Sequence, residues 1–214
     1  MEVLNDVDVR VLGSLIEKEI TTPDNYPLSL NALVNACNQS SNRDPVVQYD
    51  EPTVKAGVDR LRRYSLVRSM QRSGERVIKY MHLAGEAMEI DRAQLAVLDV
   101  LMLRGPRTLG EIRTQAGRMY DFQSLSDVEA TLDGLAMRAP EPLVTKLPRQ
   151  PGQKEARYAH LLSGEVSVDT APAPRTEPER EPDRVERLER TVEELRSELA
   201  VLRSEIAELK RVFE

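Results

Sequence analysis

Between Lys55 and Lys79 the chain carries eight cationic side chains: Lys55, Arg60, Arg62, Arg63, Arg68, Arg72, Arg76 and Lys79. Only Asp59 and Glu75 oppose them. The local excess is +6 within 25 residues, in a protein whose net charge is −6. Guanidinium and ammonium groups at this density displace counterions from phosphates, and arginine can also bond the O6/N7 edge of guanine. The segment is therefore the candidate nucleic-acid-binding surface, with DNA as the expected partner. The plain alternative is a solvated face in which Asp59 and Arg63 form an i,i+4 pair.

Nothing else in the sequence proposes a reaction. The one cysteine, Cys37, falls on the inner stripe of a helix and reads as a small buried apolar residue; alone, it also excludes an internal disulfide framework. The only histidines, His82 and His160, have no second His or Cys at metal-ligand spacing. There is no glycine-rich phosphate loop and no Gly-x-Ser-x-Gly. The expectation is a protein that is not an enzyme, with no catalytic residue, metal or cofactor. No signal-peptide pattern opens the chain and no apolar run approaches the ~20 residues that span a bilayer, so a cytoplasmic protein without membrane contact is expected.

The two histidines belong to a repeat. Tyr80-Met81-His82-Leu83 returns 78 positions later as Tyr158-Ala159-His160-Leu161. Leu30 and Leu33 match Leu109 and Ile112 at an offset of 79, and Val54, Val58 and Leu61 match Val128, Leu132 and Leu135 at 74. Leu66-Val67 matches Leu143-Val144 at 77. Drifting offsets are what a duplicated domain with small loop insertions gives, and Ala139-Pro140-Glu141-Pro142 is one such insertion.

The elements that must position the cations follow from periodicity. Val9, Leu12, Leu15, Ile16 and Ile20 predict a first helix, capped by Asn5, Asp6 or Asp8 and stopped at Thr22-Pro23. Thr21 to Ser29 reads as a loop, and Ser29 caps a second helix with Leu30, Leu33, Val34 and Cys37 inward. Asn38 to Asp50 is a second loop, in which Asn38, Asn42, Arg43 and Asp44 suit turn and capping work better than a binding site. Asp50-Glu51-Pro52-Thr53 starts a third helix with Val54, Gly57, Val58 and Leu61 inward, and Ala56, Asp59, Arg60 and Arg63 outward. Leu66 to Met70 and Arg76 to Leu83 read as a hairpin. Three helices then a hairpin is the order of a winged helix.

The second copy repeats it, with helices around Leu95 to Met102, Leu109 to Ile112 and Val128 to Leu135, the last capped by Ser126, and strands at Leu143 to Leu147 and Ala156 to Leu162. Its third helix is acidic, with Asp127, Glu129 and Asp133 against Arg138, while Lys146, Arg149, Lys154 and Arg157 leave its hairpin basic and contacts through that wing open. A contact with another protein is expected for this copy.

Beyond it, residues 166–183 hold four prolines and an acidic excess, and read as a stiff linker. From there Val185, Leu188, Val192, Leu195, Leu199, Leu202, Ile206, Leu209 and Phe213 alternate steps of 3 and 4. That is a coiled-coil seam. In a parallel homodimer the pairs Arg184–Glu189, Glu198–Arg203 and Glu205–Lys210 attract, so dimerisation through this helix is expected. A helix folded back on its own domains is the alternative.

Ile16-Glu17-Lys18-Glu19, the stretch Thr22 to Leu33 (TPDNYPLSLNAL) and the stretch Asn38 to Val46 (NQSSNRDPV) resemble the YceH-like family of uncharacterised bacterial proteins. The resemblance covers residues 5–165; it implies tandem winged helices and carries no activity or catalytic residue with it. The expected architecture is mainly α with small β wings: a winged-helix domain at 1–88, another at 89–165, a Pro/acidic linker at 166–183 and a coiled-coil helix at 184–214. The expected function is a dimeric DNA-binding protein of the transcription-regulator type. The alternative is a scaffold adaptor that uses the same modules without binding DNA.

Overall fold

Helix α1 (Asp6–Thr21) begins at a reciprocal cap: Asn5 Oδ1 accepts the Asp8 amide at 3.0 Å and the Asp8 carboxylate accepts the Asn5 amide at 3.4 Å. The computed structural model of the protein describes residues 2–71, 77–149 and 153–165. The coiled-coil positions Val185 to Leu209, the linker, Arg72 and Arg76 lie outside these residues. After α1 come a short 3-10 turn (Pro23–Asn25), β1 (Leu28–Ser29), α2 (Leu30–Cys37), α3 (Glu51–Arg63), β2 (Val67–Met70) and β3 (Lys79–His82). The strands form one antiparallel sheet of order β1-β3-β2. α4 (Ala84–Met88) leads into α5 (Arg92–Arg104), then α6 (Leu109–Ala116), α7 (Leu125–Ala136) and an antiparallel pair, β4 (Val144–Lys146) and β5 (Tyr158–His160). The described protein is mainly helical with small antiparallel sheets.

The sequence repeat has a structural meaning. Tyr80 sits in β3, opposite Leu28 of β1 and Ser69 of β2. Tyr158 holds the same place in the second half, with Arg107 bridging it where β1 would lie and Lys146 of β4 on the other side. Both tyrosines are buried.

Each half presents its first helix to the other. α1 is buried from Asp8 to Glu17 and α5 from Leu95 to Leu103, so both are enclosed on nearly every side rather than along one stripe. At Gly13 the approach is so close that a Cβ would lie 2.8 Å from Leu103 Cδ2. Residues 1–167 cluster as one unit.

Three details differ from the sequence reading. The Thr21–Ser29 segment contains a helical turn and a strand, because Leu28 and Ser29 pair with Tyr80 and Lys79. Helix α7 is capped by Ser124, whose Oγ accepts the Asp127 amide while Asp127 accepts the Ser124 amide, two residues before the predicted Ser126. α4 was not anticipated; it fills the passage between halves with buried Ala84 and Met88. No helix among the described residues is long and apolar enough to cross a membrane.

Candidate nucleic-acid interface and the ionic seam behind it

α3 is fixed by chemistry at its start. The Asp50 carboxylate accepts the Thr53 amide at 2.9 Å and Pro52 occupies the first turn, where its missing N–H costs nothing. Val54, Gly57, Val58 and Leu61 are buried against α1, and a Cβ on Gly57 would come within 3.0 Å of Val7. The cations then sort into three groups. Arg60 is engaged inward: its Nε donates to both oxygens of the buried Asp8, at 2.8 and 3.1 Å. Lys55 and Arg62 share Asp59, at 2.5 and 3.6 Å, in pairs open to solvent. Such exposed pairs contribute little and a phosphate can compete for them. Arg63 and Arg68 are exposed, with no ion pair among the described residues.

The register of the ribbon places the last two cations. Arg68 stands opposite Met81 and Met70 opposite Lys79, so Arg68 and Lys79 share the face away from buried Val67, Tyr80 and His82. In the second half the equivalent helix is negative. Asp127 and Asp133 are exposed on α7, and Glu129 faces Lys146 at 3.8 Å.

The two histidines share a position but not an environment. The Ala84 amide donates to His82 Nδ1 at 3.2 Å, so Nε2 carries the proton that Glu19 accepts at 2.8 Å. Tyr26 Oη accepts the His82 amide at 2.7 Å. His160 has no partner on its buried Nδ1, and burial lowers its pKa to about 4. Unfolding therefore takes up a proton once the pH drops below the ordinary histidine value. The neutral ring's contribution is complete above pH 6.5 and is lost as the pH falls toward 4. We expect a loss of about 3 kcal/mol across that window. Urea unfolding at stepped pH should show His160→Gln flattening this part of the curve; an unchanged slope would contradict it.

Behind the strip lies a feature that periodicity did not show. The loop 38–50 is a strut between the halves. It is closed on itself by Asn38, whose amide donates to Tyr49 O and whose oxygen accepts the Tyr49 amide, both at 2.8 Å. Asn42 adopts φ +61°, a left-handed conformation that asparagine tolerates, and turns Arg43 inward. Arg43, fully buried, donates to Glu17 at 2.6 Å and to Ala36 O at 2.8 Å. Glu17, also fully buried, accepts a second guanidinium from Arg118 of the second half. Arg10 donates to Cys37 O and Pro45 O. On the far side the Asp44 amide donates to Leu103 O at 2.9 Å, Arg107 pairs with Asp44 at 2.7 Å and Arg104 bonds Asn42 Oδ1. Asn42, Arg43 and Asp44 are thus spent on holding the halves together. Cys37 is buried beside this network with its thiol pushed up to about 11, which leaves it inert.

Asp99 of α5 completes the seam. It is buried, its Oδ1 has no hydrogen-bond partner, and desolvation raises its pKa well above the ordinary value against the pull of Arg43, Arg104 and Lys18. A raised acid contributes fully below its unfolded pKa and loses that contribution as the pH rises. At neutral pH Asp99→Asn is therefore expected to raise stability, with the gain shrinking toward pH 4. A loss at neutral pH in denaturant titrations would show that the ionised carboxylate is needed by its arginine neighbours.

Comparison with known proteins sets this arrangement in a family. A family model described as "Protein of unknown function, DUF480" matches residues 4–153. The chain belongs to this family. Similar members carry the name UPF0502 protein. One from Opitutus terrae is 55% identical over 179 residues, covering 83% of this chain and 78% of its own. One from Pelobacter propionicus is 52% identical over 196 residues, covering 89% of each. One from Geotalea uraniireducens is 49% identical over 217 residues, covering 99% of this chain and 98% of its own. Membership agrees with the resemblance carried by residues 16–46, the segment that builds the end of α1, β1, α2 and the strut.

Proposed function

We propose that the two halves are winged-helix modules, with domains at 1–88 and 89–165, and that the first binds duplex DNA through α3 and the β2–β3 ribbon. The observation that carries this reading is the exposure of Arg63 and Arg68, neither of which forms an ion pair among the described residues. They are joined by Lys79 on the ribbon and by the loosely paired Lys55 and Arg62. Arg60 serves the fold rather than the ligand. The protein acts as a binder, not a catalyst, and as a dimer through residues 184–214 it works as a transcriptional regulator. Two tethered copies raise the local concentration of a module whose single-site affinity is modest.

One observation favours a second reading. α7 exposes Asp127, Asp133 and, at 81% exposure just beyond its end, Met137. An acidic face edged by an apolar side chain suits a protein partner, and an adaptor built from the same modules would use it.

Anisotropy titration of the full chain against labelled genomic duplexes separates the two. The regulator reading predicts binding at about 50 mM salt whose log K falls linearly with log salt. Absence of binding there would overturn it and leave the adaptor. Sedimentation of the full chain against one ending at Ser167 tests dimerisation; equal monomeric masses would remove it.

A further inference from the structure

We propose that the β4–β5 ribbon of the second half is a second contact for the same duplex, one that grips backbone phosphates and reads no sequence. The inference rests on DNA binding by the first half and assigns a separate job to the second. Lys146, Arg149 and Lys154 are exposed, Arg157 is half-buried, and Glu155 is the only acid among residues 143–160, a local excess of +3. The Lys146 ammonium lies 5.4 Å from the Tyr158 ring centroid and 3.8 Å from Glu129, yet its side chain stays 57% exposed. It is steered by the ring without being consumed.

The neighbouring helix fixes the mode of contact. α7 carries Asp127, Glu129 and Asp133 and no cation, so pushing it into a groove would set carboxylates against phosphates. What remains is the ribbon, and ribbon cations meet the sugar-phosphate backbone. Backbone contacts position a protein and carry no base information.

The ribbon is also tied to the first half. Arg107 and Tyr158 exchange backbone hydrogen bonds at 2.8 and 3.0 Å, and the Leu147 amide donates to Arg157 O at 2.8 Å. The Arg157 guanidinium donates to Pro106 O at 3.2 Å. The Arg107 guanidinium in turn holds Asp44 of the strut that leads directly into α3. Both cationic surfaces therefore ride on one packed unit and keep a fixed separation, so the proposed second contact needs a duplex longer than the first module's footprint.

The test uses the full chain and its Arg149→Glu/Lys154→Glu variant. Both sites are exposed and form no ion pair among the described residues, so folding is left alone. Each protein is titrated against a duplex of about one helical turn and one of about three turns, over a range of salt. On the long duplex the variant is expected to bind about 10-fold more weakly, by the same factor for preferred and scrambled sequences, with a salt slope shallower by about 2. On the short duplex it should match wild type. Wild-type binding to both duplexes with an unchanged slope in the variant overturns this inference alone. A wild type that binds neither duplex overturns the first-half reading and this one with it.

Discussion

Charge reversal of Arg63 and Arg68 together is expected to weaken duplex binding on the order of 100-fold at moderate salt, with the melting temperature unchanged. The argument is geometric. Both side chains are exposed, one at the end of α3 and one on the outward face of β2, and neither forms an ion pair among the described residues. Removing them leaves no buried group unpaired. Arg60→Glu is the internal control. It sets a carboxylate beside the buried Asp8 and should cost stability, because the Arg60 Nε is the cation that bonds both oxygens of Asp8. Anisotropy and thermal unfolding on the same samples separate the two effects. Wild-type affinity in the Arg63/Arg68 variant would remove the strip from the binding surface.

Arg43→Met is expected to have the largest effect on stability, a loss of about 3–5 kcal/mol. Arg43 and Glu17 have no side-chain exposure, and Arg43 also satisfies Ala36 O and Asn42 O. Its loss leaves the buried Glu17 carboxylate dependent on Arg118, which is 39% exposed, and on Lys18 at 3.4 Å. The damage comes from stranding a charge, so Glu17→Met in the same chain should restore a good part of it, as removing both members of a buried pair commonly does. Urea unfolding of the two single variants and the double variant completes the cycle. A single variant within about 1 kcal/mol of wild type would mean that the seam is hydrated.

The cap residues Asn5, Ser29 and Asp50 were readable because capping is local chemistry: a short polar side chain within reach of the first free amides. The repeat was readable because Tyr80 and Tyr158 serve the same sheet position twice. β1 was not, since two residues have no period and their strand character comes only from pairing with β3. The seam was partly visible. Leu95 to Leu103 is apolar at every position but Asp99, the pattern of a helix enclosed on all sides, and an acid inside such a run marks a buried charge. Its partners could not be found from spacing, because Arg43 and Arg118 reach Glu17 across 26 and 101 positions of chain. For the same reason Arg60 read as outward: the helical wheel places it on the margin of α3, and only the packing of α1 shows Asp8 waiting there.

Hydrogen–deuterium exchange of the full chain with and without saturating duplex tests the central claim most directly. The account predicts slower exchange in α3 and the β2–β3 ribbon of the first half, with α7 unaffected. Protection confined to α7, or none at a concentration where the duplex is bound, would contradict it.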